Sequence, residues 1–240
     1  MRVLITRPRQ DGAETARLLS ELDIETVNAP VMEISDIAGA AQYLERDLEG
    51  VQAILVTSAN GVRSFARATA RRDLPVFAVG DASAAVASQS GFLHVTSAAG
   101  DVATLADLVR DRLTPEDGAL FHATGNIIAG DLAGDLTSGG FTVRRGRLYR
   151  TRMVDMLPEA ARHALNGGTI DAALFYSPRT AAHFAKLVAA AELESACRNM
   201  IAGCLSAAVA QALAALPFAE IRIAEKPEQT ALIATLTSKD

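Results

Sequence analysis

The segment Val143-Arg144-Arg145-Gly146-Arg147-Leu148-Tyr149-Arg150-Thr151-Arg152 sets five arginines within nine residues around one of the chain's three tyrosines. Side chains alternate between the two faces of an extended strand, so Arg145, Arg147 and Tyr149 are expected on one face. Such a face would attract a polyanion and present a phenol to it. A solvated connecting ribbon is the plainer reading of the same arginines. A second group of candidates stands where short apolar runs stop: Thr6-Arg7-Pro8, Thr57-Ser58-Ala59-Asn60-Gly61, Gly80-Asp81-Ala82-Ser83, Gly125-Asn126, Ser177-Pro178-Arg179 and Gly203-Cys204-Leu205-Ser206. Each reads as a helix N-terminus with a small hydroxyl or amide cap, and Pro178 has the favoured first helical position. Helix N-termini offer unpaired N–H groups and partial positive charge, which suit carboxylate or phosphate. None of these turns is a P-loop or a GxGxxG fingerprint, so a nucleotide is disfavoured.

Other chemistry is scarce. Of 23 basic residues, 20 are arginine and three are lysine: Lys186, Lys226 and Lys239. These are expected on helices or at the C-terminus, which argues against Schiff-base chemistry. Cys197 and Cys204 match neither zinc nor redox spacing, and His94, His122, His163 and His183 are scattered. No metal site, no cofactor and a reducing compartment are expected. The net charge of -5 speaks against general nucleic-acid binding. No apolar run approaches a membrane span or a signal peptide, so a cytoplasmic protein is expected. A site built from these groups would work by holding and orienting a reactive substrate, with modest acid–base help.

The elements that would position these groups alternate in type. Strand patterns fall at 2–6, 25–29, 52–57, 76–79, 93–96, 119–123, 141–151, 171–176, 199–203 and 219–223, with helical patterns filling most gaps. Strands separated by helices imply parallel sheets and an α/β fold, here in two domains. An internal repeat supports this: AILVTSANGVRSFA at 53–66 aligns with AALFYSPRTAAHFA at 172–185, and FAVGDASAAVA at 77–87 with MIAGCLSAAVA at 200–210. A weaker match pairs 18–34 with 135–151. Periodicity leaves open whether the halves are sequential (1–113 and 118–240) or have exchanged their first segments. In the second case the extended stretches 30–35 and 143–153 are the crossings.

Together these residues resemble the uroporphyrinogen-III synthase family. The likeness lies in the opening VLITRP, AILVTSANGVRSF, AVGDASAAVASQSG, a GGFTV strand leading to LYRT, the FYSP segment, a late G-x2-SAAVAQAL turn and Pro-x2-Thr-Ala-Leu. It runs in order over essentially the whole chain. The resemblance implies two flavodoxin-like parallel-sheet domains joined by a two-stranded β ladder, with the ligand cleft between them. It favours the exchanged arrangement, 1–35 plus 152–240 and an inserted 36–151. It also implies a monomeric, cofactor-free hydro-lyase of porphyrin (heme) biosynthesis. The substrate is hydroxymethylbilane, a linear tetrapyrrole polycarboxylate that closes with loss of water and inversion of ring D. Carried over by position, Tyr149 assists departure of the hydroxyl. Arg7, Thr57, Ser58, Asn60, Ser83, Gly125, Asn126, Ser177, Pro178 and Ser206 line the site. Leu205 and Ser206 depart from the threonines commoner in that turn. Competing expectations are a non-enzymatic two-lobed module for a small anionic ligand and a sugar- or nucleotide-processing α/β enzyme.

Overall fold

A computed structural model describes residues 1–128 and 130–237; Lys239 lies outside them. The chain opens with β1 (Arg2–Ile5), α1 (Arg9–Ser20), β2 (Glu25–Asn28) and β3 (Met32–Asp36). It continues through α2 (Ala40–Asp47), β4 (Val51–Val56), α3 (Ala59–Ala68), β5 (Val76–Ala78), α4 (Asp81–Gln89) and β6 (Val95–Ser97). Next come α5 (Val102–Arg112), β7 (Ala119–Gly125), α6 (Leu132–Ser138) and β8 (Val143–Met153). The last part holds α7 (Glu159–Asn166), β9 (Ala172–Phe175), α8 (Pro178–Ala190), β10 (Ile201–Cys204), α9 (Ala207–Gln211), β11 (Glu220–Ile223) and α10 (Gln229–Ala234). Among these residues no helix is long and apolar enough to cross a membrane.

Two compact units result, Met1–Glu33 with Arg152–Asp240, and Ile34–Thr151. The chain passes between them inside β3 and again inside β8. In the first unit five strands form one sheet, in the order β2-β1-β9-β10-β11. All its pairings are parallel. Numbered within the unit this is 2-1-3-4-5, the flavodoxin-like order. Both faces are covered, because alternate residues of one strand enter different cores. Leu4, Ala173 and Phe175 pack with Phe184 and Val188 of α8. Val3, Ile5, Ala172 and Leu174 pack with Leu19 of α1 and Leu232 of α10. Near-continuous apolar strands are what a parallel sheet buried on both faces requires.

The second unit has the order β8-β7-β4-β5-β6, with β3 added beyond β8. The amide of Val154 donates to Val31 and that of Ile37 to Leu148, so β3 runs antiparallel to β8. Ile54, Val56, Phe121 and Ala123 face Phe65 of α3. Ala53, Leu55 and Leu120 face Leu105 of α5 and Leu136 of α6. The sequence repeat maps strand for strand between the sheets. β9 corresponds to β4 and β10 to β5 through the two strong matches, and β2 to β8 through the weak one. Each matched pair holds the same place in its sheet's order.

Local chemistry sets the helix starts. Pro178 begins α8 behind the Ser177 cap, and Ala181, Phe184, Leu187 and Val188 form one buried stripe. Asp101 and Thr104 close a capping box on α5. Lys186 is exposed on α8, whereas Lys226 lies in a turn rather than on a helix. Cys197 and Cys204 are buried, and burial pushes both thiols up to about 11.

Candidate active site

Parallel pairing brings the carboxyl ends of β4, β5 and β7 to one edge of the second sheet. Thr57, Ser58, Gly80 and Gly125 therefore collect there. Open α/β sheets bind ligands at this edge. Tyr149 reaches it through an irregularity in β8. Gly146 pairs with Ala123 and Arg147 with Thr124, but Gly125 pairs with Tyr149, so Leu148 is the extra residue of a bulge. Ala123 and Gly125 share a face, which puts Tyr149 on the face of Gly146. This corrects the expected common face of Arg145, Arg147 and Tyr149: the inserted residue reverses the alternation. Leu148 and Tyr149 are both buried, at 3% and 8% exposure, whereas Arg147 is exposed.

Tyr149 then meets the start of α3. Its Oη lies 2.9 Å from Ser58 Oγ, and Ser58 Oγ accepts from the amide of Gly61 at 3.1 Å. Its ring lies flat against Gly125, where a Cβ would come within 2.6 Å of Cε2 and Cζ. Asn126 holds the other side of the bulge. Its amide donates to the Tyr149 carbonyl, its Oδ1 accepts from the Thr151 amide at 2.7 Å, and its Nδ2 donates to the Thr151 carbonyl. Tyr149 is thus held by two other chain segments, the start of α3 and the end of β7. Thr57 and Asn60 are half-buried on either side of Ser58, and Asn60 Oδ1 accepts from Arg63 at 3.2 Å.

The first unit presents a corresponding edge at the ends of β1, β9 and β10. Arg7 is half-buried there, with its guanidinium 4.2 Å above the Tyr176 ring. One of its nitrogens donates to Gln229 Oε1 at 2.5 Å and another lies 3.7 Å from Asp11. Burial pushes the Tyr176 phenol up, against the opposing effects of Thr15 and Arg7. Ser177 caps α8 by accepting from the Thr180 amide at 3.2 Å, and its Oγ also lies 2.7 Å from Thr180 Oγ1. Pro178 is exposed beside it.

Several expected caps are not caps. Thr6 turns its hydroxyl to the Leu174 carbonyl, and Pro8 stands at the cap position of α1, which has no side-chain cap bond. Gly80 stands at the cap position of α4, so Ser83 falls inside its first turn and is buried at 6% exposure. Gly125 and Asn126 begin no helix; α6 starts at Leu132 behind the Asp131 cap. Ser206 precedes α9 without a side-chain cap bond. Beyond the expected residues, the edges include Tyr176 and Gln229. Ile127 and Ile128 are also exposed, at 46% and 39%, directly after Asn126. That Ile-Ile pair in a loop was the one visible signal among them.

The arginine run is divided between uses. Arg145 donates to Asp131 at 2.6 Å, and Arg144 donates to the carbonyls of Asp47 and Glu49. Arg145 also pairs across the sheet with His122, which is 1% exposed. Neither His122 ring nitrogen has a hydrogen-bond partner among the described residues. Burial, and then the Arg145 charge, lower this imidazole to about 4. A neutral folded state and a protonated unfolded one diverge below 6.5, so stability is full above that pH and falls as pH drops towards 4. The expected loss near pH 5 is about 2 kcal/mol, from the size of the shift. Denaturant titrations of wild type and His122→Phe at about pH 7.5 and pH 5 check this: the variant should lack that part of the acid loss.

Comparison with known proteins adds to this geometry. The uroporphyrinogen-III synthetase of Helicobacter pylori superposes with a TM-score of 0.62 at 16% identity, covering 99% of each chain. A mutant uroporphyrinogen III synthase of the extremely thermophilic bacterium Thermus thermophilus gives 0.54 at 19% identity, over 99% of this chain and 98% of that one. At these identities the likeness speaks for the fold. A sequence search of curated proteins gives no match. The family model of uroporphyrinogen-III synthase HemD matches residues 13–234, nearly the whole sequence, and the chain therefore belongs to the uroporphyrinogen-III synthase family.

Proposed function

We propose that Tyr149 is the proton donor in the reaction of this family, closure of hydroxymethylbilane to uroporphyrinogen III. The observation carrying this reading is the placement of its hydroxyl, at the carboxyl edge of a parallel sheet, 2.9 Å from Ser58 Oγ and with the ring seated on Gly125. As the terminal C–O bond breaks, pyrrole electrons form the azafulvene and Tyr149 Oη passes its proton to the departing hydroxyl, which leaves as water. The substituted carbon of ring D attacks, and the spiro-pyrrolenine rearranges so that ring D is inverted. Aromatisation of that ring releases one proton, which returns to the phenolate. The enzyme ends as it began, with no redox change.

The substrate also closes unaided to the uninverted isomer, so most of the protein's work is conformational. Carboxylates suit the amides at the start of α3 and Asn60 on the second unit and, taken separately, the amides at the start of α8 and Arg7 on the first. Asn126 keeps the bulge in place, and Thr57, Ser177 and Pro178 shape the turns that present those amides. Ile127 and Ile128 offer apolar surface to the pyrrole rings. Ser83, buried inside α4, contributes through its backbone turn, and so does Ser206.

Turnover tests this reading. Freshly prepared hydroxymethylbilane, supplied in large excess over the purified protein, should be consumed completely and faster than in buffer. Consumption of the excess no faster than in buffer would mean a binding protein and would overturn the proposal.

A further inference from the structure

We infer that Ser58 is a positioning residue that donates its hydroxyl hydrogen bond to Tyr149 and so leaves the phenol proton directed at the substrate. The inference rests on the proton-donor reading of Tyr149. Ser58 Oγ has one proton and two lone pairs. The Gly61 amide occupies one lone pair, and the remaining proton and lone pair face Tyr149 Oη at 2.9 Å. In that contact either hydroxyl can donate. Once the substrate hydroxyl accepts the phenol proton, Ser58 has to be the donor. It then holds a charge-assisted bond to the phenolate that forms.

The internal repeat supplies a comparison within the same chain. Ser177 corresponds to Ser58, and each caps its helix by accepting from the amide three residues on. At that third position the first unit has Thr180, whose hydroxyl lies 2.7 Å from Ser177 Oγ and closes the serine onto its own helix. The second unit has Gly61, which leaves Ser58 turned to Tyr149. A side chain at Gly61 would also strike the Ala123 carbonyl, at 2.8 Å from its Cβ. The glycine therefore lets α3 sit close against β7, next to the strand that carries the tyrosine. The same cap has been released from a local bond and given to the phenol.

A double-mutant cycle tests this in the full chain. Ser58→Gly should lower kcat roughly 10- to 100-fold, less than the roughly 100- to 1000-fold of losing a donor that touches the substrate and no more than the loss of the phenol itself, with KM within about twofold. Glycine is a tolerated cap, and Ser58→Asp is a strong cap with no proton to give. Both variants should keep the thermal midpoint yet lose kcat, and Ser58→Thr should restore it. In a Tyr149→Phe background Ser58→Gly should cost nothing further. An equal loss in both backgrounds would mean that Ser58 acts on the substrate independently, overturning this inference while leaving the Tyr149 reading intact. Full activity of Ser58→Gly or Ser58→Asp would overturn it as well. Full activity of Tyr149→Phe alone would remove the Tyr149 reading and this inference with it.

Discussion

Replacing Tyr149 by phenylalanine should lower kcat about 100-fold, the lower end of what a positioned general acid contributes, while KM stays within about twofold. The substitution removes one oxygen and leaves the ring seated on Gly125. Ser58 keeps the Gly61 amide as a partner, so no buried polar atom loses every bond. The expected stability cost is about 1 kcal/mol or less, the net worth of one hydrogen bond. The lower end is expected because the azafulvene forms from an electron-rich pyrrole, and water can supply the proton slowly. Steady-state kinetics and thermal unfolding of the same preparation separate the outcomes. Unchanged kcat would remove the acid role, and loss of kcat in step with the folded fraction would make the residue structural.

Gly125→Ala should have an effect of similar size by a different route. The new Cβ would stand 2.6 Å from Tyr149 Cε2 and Cζ, against an ordinary contact of 3.4–4 Å. The ring must retreat by about 1 Å, a displacement that can cost on the order of 100-fold in rate. It would also stretch the 2.9 Å contact with Ser58. Gly125 does not have a positive φ, so alanine adds no backbone strain. Overpacking should cost about 1–3 kcal/mol of stability. Kinetics well below the unfolding midpoint isolate the rate effect. In a Tyr149→Phe background the alanine should change kcat little, because the displaced group no longer transfers a proton.

Much of the fold was legible because a parallel sheet covered on both faces needs apolar strands. Runs such as Val3-Leu4-Ile5 and Ala172-Ala173-Leu174-Phe175 say so directly. β3 lacked that signal: Met32-Glu33-Ile34-Ser35-Asp36 is a polar edge strand and read as an extended connection. Tyr149 was singled out by residue type and company, but its orientation was not readable. Spacing by two put it with Arg145 and Arg147; the adjacent apolar pair Leu148-Tyr149 was the trace of the bulge that reverses it. Ser58 and Ser177 were readable as caps because serine in a strand-to-helix turn bonds the amide three residues on. Thr6 has the same chemistry and a nearer partner in the Leu174 carbonyl, which no local pattern reveals. Arg7 was visible as a residue of the opening turn. Its seat on Tyr176 and its bond to Gln229 join residues far apart in sequence, and those depend on the fold.

In this mechanism the chain steers a self-reactive tetrapyrrole to the inverted ring. Isomer analysis of the product tests it most directly. Purified protein is given freshly made hydroxymethylbilane, and the uroporphyrinogen formed is oxidised and resolved into isomers I and III, with a protein-free sample alongside. Isomer III is the expected dominant product with protein and isomer I without it. Isomer I alone in both samples, formed at the same rate, would contradict this mechanism.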